Sequence, residues 1–570
     1  MRHALTMVQN HSISDLLARI LAGRDIPIND VPAFLSPRLR NHFPDPMHLR
    51  DMDKAVIRLG HAIKNSESIF IVGDYDVDGA CSSALLSLFL KHCNTPCFVH
   101  IPDRLQEGYG PSLKAVAAAK DSGARIFITV DCGTLSHDII AQARLHNLDV
   151  LVLDHHQASD HLPDALVINP NRQDECSPLG HLCATGVVFC FLVALRRYLI
   201  SEGFWSESNA PHLLETLDLV ALATVADVVP LTGLNRAFVA QGLAVLKKRL
   251  RIGLAALMEI GGIKNAPEAW HLGFVLGPRV NAGGRIGDSS LGFRLLTTHN
   301  PHHAQELARR LDQHNRERQA LEAHAVEQAC AQAEKQYAAT PYRSALIVHD
   351  PSWHPGILGL IAARVKENFR CPCFALTSSR LESPGWVGSG RSVPGIDLGA
   401  LVRKAVEKGL LIKGGGHAMA AGITVQASYE ALDTFRLFIH ATLLEGAPST
   451  LVEETLEIDG ALSARSVTPE RLEDLMRAGP YGTGHPEPLF AFPHHKIVSL
   501  SVIKEAHIRL RLQDDQGHSI NAMAFRAHGT ALGDHLCSSM HNSVHVVGSL
   551  SLDSFRGVKT PLIRIIDSAQ

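Results

Sequence analysis

Four short acidic segments of this chain combine residue types that could hold metal ions. Gly73-Asp74-Tyr75-Asp76-Val77-Asp78-Gly79 follows an apolar run directly. Thr129-Val130-Asp131-Cys132-Gly133 and Leu153-Asp154-His155-His156 each close a further apolar run, and Val225-Ala226-Asp227-Val228-Val229-Pro230 lies near the end of an apolar helical stretch. Carboxylates gathered in one place repel each other unless cations sit between them. Many oxygens with one or two imidazoles suit Mn²⁺ or Mg²⁺ better than Zn²⁺. Two such ions can activate a water and stabilise the leaving oxygen of a phosphoester. Singly, each segment has an ordinary explanation. Asp74-x-Asp76-x-Asp78-Gly79 begins like a calcium loop, but its twelfth position is Leu85, and a strand precedes it. A lone Asp-His-His is commonly a loop or cap, and Asp131 or Asp227 alone would serve as helix cap or ion-pair partner. Acids after successive strands, in this order, are what a purely structural explanation does not cover.

The elements that must position these groups can be read from periodicity. Over residues 69–170, apolar runs alternate with helical stretches, which implies a parallel sheet covered on both faces. In such a sheet the carboxyl ends of the strands share one edge, so three of the acidic segments converge there. Residues 184–260 read as mostly helical. From Pro301 to about Ala338 there is no glycine and no internal proline, which predicts one long connecting helix. A second α/β segment starts near Ser344, and after it the pattern changes to period two, as in His507–Leu512, which predicts a small antiparallel barrel.

A net charge of −3 excludes a globally basic nucleic-acid binder, so any basic groove must be local. The eleven cysteines form no recurring CxxC pair and read as reduced cytosolic thiols. The first ten residues show no apolar core of a signal peptide, and the most apolar long stretch, Leu213 to Leu231, is broken by Glu215, Asp218 and Asp227. Those features imply a cytoplasmic protein without a membrane span.

Two glycine-rich segments could bind phosphate. Gly388-Ser389-Gly390-Arg391-Ser392 offers backbone N–H groups, two hydroxyls and a guanidinium, or is a plain turn. Lys413-Gly414-Gly415-Gly416-His417 precedes small residues that read as helical; it is no P-loop, and a tight turn is the alternative. Arg279, Asn281 and Arg285 form a further cationic cluster. Arg104 and Tyr109 could narrow a cleft or stack on a base, or be a surface arginine and a packed ring. His354 could face the cleft or stabilise its turn. In the barrel, Lys504, Arg509, Arg511, Arg556 and Lys559 are candidates for backbone contact, and Arg509 and Arg511 share one face of a period-two strand.

With these residues in view, the sequence resembles the DHH phosphoesterase superfamily, and within it the RecJ exonuclease family, over nearly its whole length. VGDYDVDGA, EGYG (107–110), TVDCG, LDHH, INPN (168–171), ATVADVVPL, GPRVNAGGRIGD (277–288), WHPGILGLIAARV (353–365), GSGRS (388–392), KGGGHAMAAG (413–422) and YGTGHPEPLF (481–490) occur in that family's order. The resemblance implies an N-terminal segment (1–50), a DHH catalytic domain (51–300), a helical connector (301–340), a DHH-associated domain (341–450) and an oligonucleotide-binding barrel (451–570). It implies 5′→3′ exonuclease activity on single-stranded DNA with a free 5′ end, in recombination and repair, by a cytoplasmic monomer working with single-strand-binding protein and a helicase. It further implies two Mn²⁺ or Mg²⁺ ions held by Asp76, Asp78, Asp131, His155 and Asp227, with Asp131 bridging and Asp74 beside them. His156 would contact the scissile phosphate or else support His155. Arg104, Tyr109, Arg279, Asn281, Arg285, Ser389, Arg391, Ser392, Gly415, Gly416 and His417 would hold the strand.

One departure stands out. Many superfamily members place a histidine four residues before the first metal-binding aspartate, and here that position is Val72. Either Asp74 supplies an oxygen in its place, or that site stays weak until DNA completes it. A phosphoesterase for small substrates would need no strand-tracking barrel, and a non-catalytic scaffold should have lost some of the acidic ligands, all of which are present.

Overall fold

Three sheets organise the chain, and the computed structural model describes residues 2–339, 345–378, 385–446, 455–555 and 558–569. The first sheet is wholly parallel: β1 (Ile69–Val72), β2 (Cys97–His100), β3 (Ile126–Val130), β4 (Asp149–Leu153) and β5 (Leu166–Ile168), in the order β2-β1-β3-β4-β5. Strands β1 and β3 are buried along their whole length because helices cover both faces. Their sequences are therefore continuous apolar runs without alternation. The helix Val77–His92 leaves β1, and its N-cap is Asp76, whose Oδ1 accepts the Gly79 N–H at 3.0 Å.

The helix Ala184–Ser201 is long and apolar enough to span a membrane, more so than the 213–231 stretch singled out from the sequence. It is packed in the core against the helices Met52–Lys64, Val77–His92 and Leu217–Ala226. The helix Leu217–Ala226 ends at Asp227. Its first turn is tied down by Asp218, buried and bound by Arg251 through Nε (2.8 Å) and Nη2 (3.1 Å).

The predicted connector is one 39-residue helix, Pro301–Ala339, roughly 58 Å long. Ala304, Leu307, Ala308 and Leu311 sit in the core of the first unit, whereas Ala325, Ala329 and Ala333 sit in that of the second. The second sheet is mixed: β6 (Leu346–His349), β7 (Cys373–Ser378), β8 (Gly385–Arg391), β9 (Lys413–His417) and β10 (Ala420–Gln426), in the order β6-β7-β8-β10-β9.

Two expectations are corrected here. Residues 388–391 form the central strand β8 and not a turn; their glycines make room, since a Cβ on Gly388 would lie 2.7 Å from Leu376 Cγ and one on Gly390 2.6 Å from Phe374 and Leu398. The small residues after Gly416 are not helical. They form β10, hairpinned to β9, with Ala421, Ile423 and Val425 buried at period two.

The third sheet contains β11 (Gly460–Ala461), β12 (Leu489–Ile503), β13 (His507–Gln513), β14 (Ser519–Ala524), β15 (Ser543–Phe555) and β16 (Val558–Ala569). Pairing of β12 with β15 closes it into a barrel. Phe490 and Phe492 fill its core, while Arg509 and Arg511 share the outer face of β13. Arg556 lies outside the described residues. The N-terminal segment, left unassigned by the sequence reading, contains the helices Arg2–His11 and Asp15–Gly23, whose apolar faces cluster with Ala478 and Tyr481 beside the barrel.

Replacing Arg251 by leucine leaves the buried Asp218 carboxylate without its cation. Chemical denaturation should show a loss of about 3 kcal/mol, and a loss under about 1 kcal/mol would mean that the pair does not anchor this helix.

Candidate metal centre and cationic cleft

The carboxyl edge of the first sheet gathers the acidic segments as its topology requires. Asp74, Asp76 and Asp131 each offer an oxygen within 4.8 Å of the others, as do the ligand atoms of Asp78, His155 and Asp227. Asp131 touches both groups, since His155 Nε2 lies 3.3 Å from Asp131 Oδ1 and 3.8 Å from both Asp78 Oδ2 and Asp227 Oδ2. Asp131 sits at φ +60°, a left-handed conformation uncommon outside glycine, and its N–H is held by the Leu153 carbonyl at 3.0 Å. That kink turns the carboxylate off the end of β3.

Each ligand is braced. Asp78 is buried and accepts the Ala184 N–H (2.6 Å), the Thr185 N–H (2.8 Å) and the Thr185 hydroxyl (2.5 Å) at the N-terminus of the core helix, where the dipole favours an anion. Gly79 lets the Asp74 backbone approach, because a Cβ there would lie 2.4 Å from the Asp74 carbonyl oxygen. His155 Nδ1 is 3.1 Å from the Leu182 carbonyl, which fixes the tautomer with Nδ1–H and leaves the Nε2 lone pair facing the carboxylates.

Burial, then repulsion from Asp78, Asp76, Asp74 and Asp227, pushes the Asp131 carboxyl well above its ordinary range. Asp74 is raised well above the ordinary range by burial and by Asp76, and Asp227 rises to about 9 through burial, Asp78 and Asp76. Asp74 Oδ1 is buried with no hydrogen-bond partner among the described residues. An orphaned oxygen, crowded carboxylates and an imidazole lone pair aimed at them make a donor set that fits hard divalent cations.

His156 also brings a ring nitrogen within 4.8 Å of the ligand atoms of Asp131 and His155, but it has partners of its own. Its Nδ1 bonds to Asp154 Oδ1 at 2.8 Å, and Tyr109 Oη lies 3.1 Å from the same nitrogen while donating to the Asp131 carbonyl (3.1 Å). Burial opposes its charge, but the Asp154 hydrogen bond and the charges of Asp154, Asp227 and Asp74 prevail and raise it to about 9. Across the cleft, the His417 ring on β9 stacks 6.4 Å from that of His156. Arg104 lies over the Tyr75 ring at 5.0 Å. Burial and then the charges of Arg104, Arg318 and Arg391 lower Arg285 to about 10, and burial and Arg104 lower Arg391. Among the described residues, none of Arg104, Arg285 and Arg391 is ion-paired with a carboxylate. Arg104 thus disfavours the charge on both Arg285 and Arg391, and an anion between them would relieve that repulsion.

Other expected strand contacts are engaged elsewhere. Arg279 pairs with Asp312 of the long helix at 3.0 Å. Asn281 accepts the Val77 N–H at 3.0 Å and so supports the acidic loop from below. The Ser392 hydroxyl is buried and donates to the Ile396 carbonyl at 2.7 Å. His354 accepts the Gly356 N–H in its turn. Ser389 is half-buried on β8, and Gly415 and Gly416 are exposed on the edge strand β9. Sequence reasoning missed the residues that hold the Asp-His-His loop. Buried Asp154 accepts the Thr134 hydroxyl (2.6 Å), Asn169 donates to Thr134 Oγ1 (2.9 Å) and to the His156 carbonyl (2.8 Å), and Asn171 donates to the His155 carbonyl (2.6 Å). Two asparagines just after an apolar strand were the available signal.

A parallel sheet with this acidic edge, facing a second α/β unit across an arginine-lined cleft, defines a DHH-type phosphoesterase fold. Family models agree: the DHH family N-terminal domain matches residues 68–224, the DHHA1 domain 341–445 and the RecJ OB domain 458–567. The chain is 36% identical to the single-stranded-DNA-specific exonuclease RecJ of Salmonella typhimurium and to that of Escherichia coli, covering 91% of this chain and 90% of each relative. It therefore belongs to the RecJ family. The crystal structure of Thermus thermophilus RecJ in complex with Mn²⁺ superposes with a TM-score of 0.81 at 26% identity, covering all of this chain and 78% of that one. A Mg²⁺ complex of the same protein matches with a TM-score of 0.75.

The raised carboxyls have a measurable consequence. Asp131, Asp74 and Asp227 bind protons in the metal-free fold at pH values where the unfolded chain, near pH 4, has released them. Their contribution is therefore full below about pH 4 and lost as pH rises through the folded values, about 9 for Asp227. The Tm of chelator-treated protein should fall between pH 5 and 9, and saturating Mn²⁺ should remove most of that slope. A flat metal-free profile would contradict the crowding.

Proposed function

We propose that the protein is a 5′→3′ exonuclease that hydrolyses single-stranded DNA with two Mn²⁺ or Mg²⁺ ions, in recombination and repair. The observation that carries this reading is two ligand sets joined through Asp131, which lies 3.3 Å from His155, facing a cleft whose Arg104, Arg285 and Arg391 have no carboxylate partner among the described residues. Asp74, Asp76 and Asp131 would hold one ion, and Asp78, His155 and Asp227, with Asp131 beside them, the other. Asp74 would then supply an oxygen where Val72 offers no imidazole. When bound, the ions neutralise phosphate charge and lower the pKa of the attacking water.

The chain's own residues do the rest. Asp131 sets the spacing of the two sites. His156, kept cationic by Asp154, donates a proton or hydrogen bond to a phosphate oxygen as charge develops. Arg104, Arg285 and Arg391 bind the terminal 5′ phosphate and fix how far the scissile bond lies from that end, with Ser389, Gly415, Gly416 and His417 along the same wall. Arg279, Asn281 and Ser392 position these elements without touching the strand. The division of labour follows domains at 51–300, 341–450 and 451–570, joined by the 301–340 helix, with Arg509 and Arg511 on the barrel contacting the backbone of the incoming strand. The enzyme works as a cytoplasmic monomer behind a helicase, on strands covered by single-strand-binding protein.

Arg391→Ala should weaken cleavage of strands bearing a 5′ phosphate about ten- to a hundredfold, the worth of one charged hydrogen bond of roughly 1.5–3 kcal/mol. Strands with a 5′ hydroxyl should lose far less. Equal losses in kcat/KM on the two substrates would refute end recognition by this residue.

A further inference from the structure

The motif at residues 481–490 takes no part in the site described above, yet it touches the loop that carries Asp227. That loop cannot hold itself. Asp227 ends its helix, and the next residue, Val228, is a β-branched side chain at φ +60° and is exposed. Three residues on, the Leu231 N–H donates to the Thr483 carbonyl at 2.8 Å. Gly482 and Gly484 allow this approach, because a Cβ on Gly482 would lie 2.7 Å from Leu231 Cδ1 and one on Gly484 3.0 Å from Pro230 Cβ. Buried Asn235 donates to the Pro230 carbonyl (3.0 Å) and to the His181 carbonyl (2.7 Å). The residue after His181 is Leu182, whose carbonyl orients His155.

The turn is itself rigidly held. Gly482 and His485 exchange backbone hydrogen bonds of 2.9 and 3.0 Å. Arg236 is buried, and instead of a carboxylate it meets the carbonyls of Ala478 (2.7 Å), Gly479 (2.6 Å), Pro480 (3.2 Å) and Phe34 (3.2 Å). His485 stacks on Tyr481 at 5.1 Å and accepts Arg24 Nη1 at 2.9 Å.

We propose that the turn Tyr481–His485, entered from a segment that Arg236 holds at Ala478–Pro480 and gripping Leu231 and Pro230, is a positioning element that sets Asp227 against His155 and thereby tunes metal affinity from the barrel side of the molecule. The proposal rests on the reading of Asp227 and His155 as ligands. Thr483 acts through its backbone, and Asn235 links the two ligand-bearing segments. An ordinary packing contact would support the fold without changing how the ions bind.

The test titrates Mn²⁺ into the full-length, DNA-free protein, with calorimetry or Mn²⁺ electron paramagnetic resonance as the readout. Gly482 does not occupy the left-handed region, so alanine can adopt its backbone, and the new methyl wedges against Leu231. Gly482→Ala should weaken one Mn²⁺ site by about tenfold, the usual scale for residues that orient ligands. Its kcat should fall while KM for long strands and Tm stay near the parent's. Adding Leu231→Val, which removes the opposing Cδ atoms, should restore affinity. Parental Mn²⁺ affinity in Gly482→Ala, or a loss that Leu231→Val does not restore, overturns the proposal. Should Gly482→Ala not fold, Arg236→Lys decides: it cannot meet four carbonyls, and unchanged Mn²⁺ affinity in it would be equally fatal. Asp227→Ala separates the two levels. If it leaves Mn²⁺ binding intact, the ligand reading fails and the proposal with it; if it abolishes one site while Gly482→Ala has no effect, only the clamp fails.

Discussion

Mutual repulsion among five carboxylates at the end of one parallel sheet is the constraint on which the rest of the molecule depends. Asp74, Asp76, Asp78, Asp131 and Asp227 stand within a few side-chain lengths, and three of them are driven far from their ordinary protonation. No stable fold gathers such charges without fixing each one independently. The surrounding structure does this with a helix N-terminus for Asp78, an αL kink for Asp131 and a glycine approach under Asp74. The stress is then relieved by cations, so the feature that destabilises the metal-free fold is also the one that binds the ions.

Opposite this negative edge the molecule sets a positive one. Arg104, Arg285 and Arg391 come from different parts of the chain and meet because the long helix Pro301–Ala339 holds the second α/β unit over the first. Contacts such as Gly356 against the Arg285 carbonyl, where a Cβ would lie at 2.1 Å, fix that placement closely. A phosphate chain entering between the two edges would meet the ions held by the acidic side and the guanidinium groups of the other.

Much of this was legible in the sequence, for physical reasons. Continuous apolar runs ending in Asp131 and Asp154 could only be buried parallel strands, and their shared edge followed from topology. The uninterrupted helical pattern after Pro301 fixed the connector. What remained hidden depends on partners distant in sequence. The glycines of Gly388-Ser389-Gly390 left a phosphate-binding segment or a plain turn open, but they are spacers in a central strand, and only the positions of Phe374, Leu376 and Leu398 reveal it. Arg279 read as a strand contact, and its pairing with Asp312 of the long helix could not be seen from the sequence. Asn169 and Asn171 hold the histidine loop through bonds to the His156 and His155 carbonyls, and their position after an apolar strand was a signal without a named partner.

The central claim is that this acidic edge hydrolyses single strands from the 5′ end only with divalent ions in place. A time course with one strand labelled at its 5′ end and the same strand labelled at its 3′ end tests it most directly, each with Mn²⁺ and with chelator. The 5′ label should leave at the earliest times as a mononucleotide, the 3′-labelled strand should shorten progressively, and chelator should stop both. Early release of the 3′ label, or cleavage that continues in chelator, would contradict it.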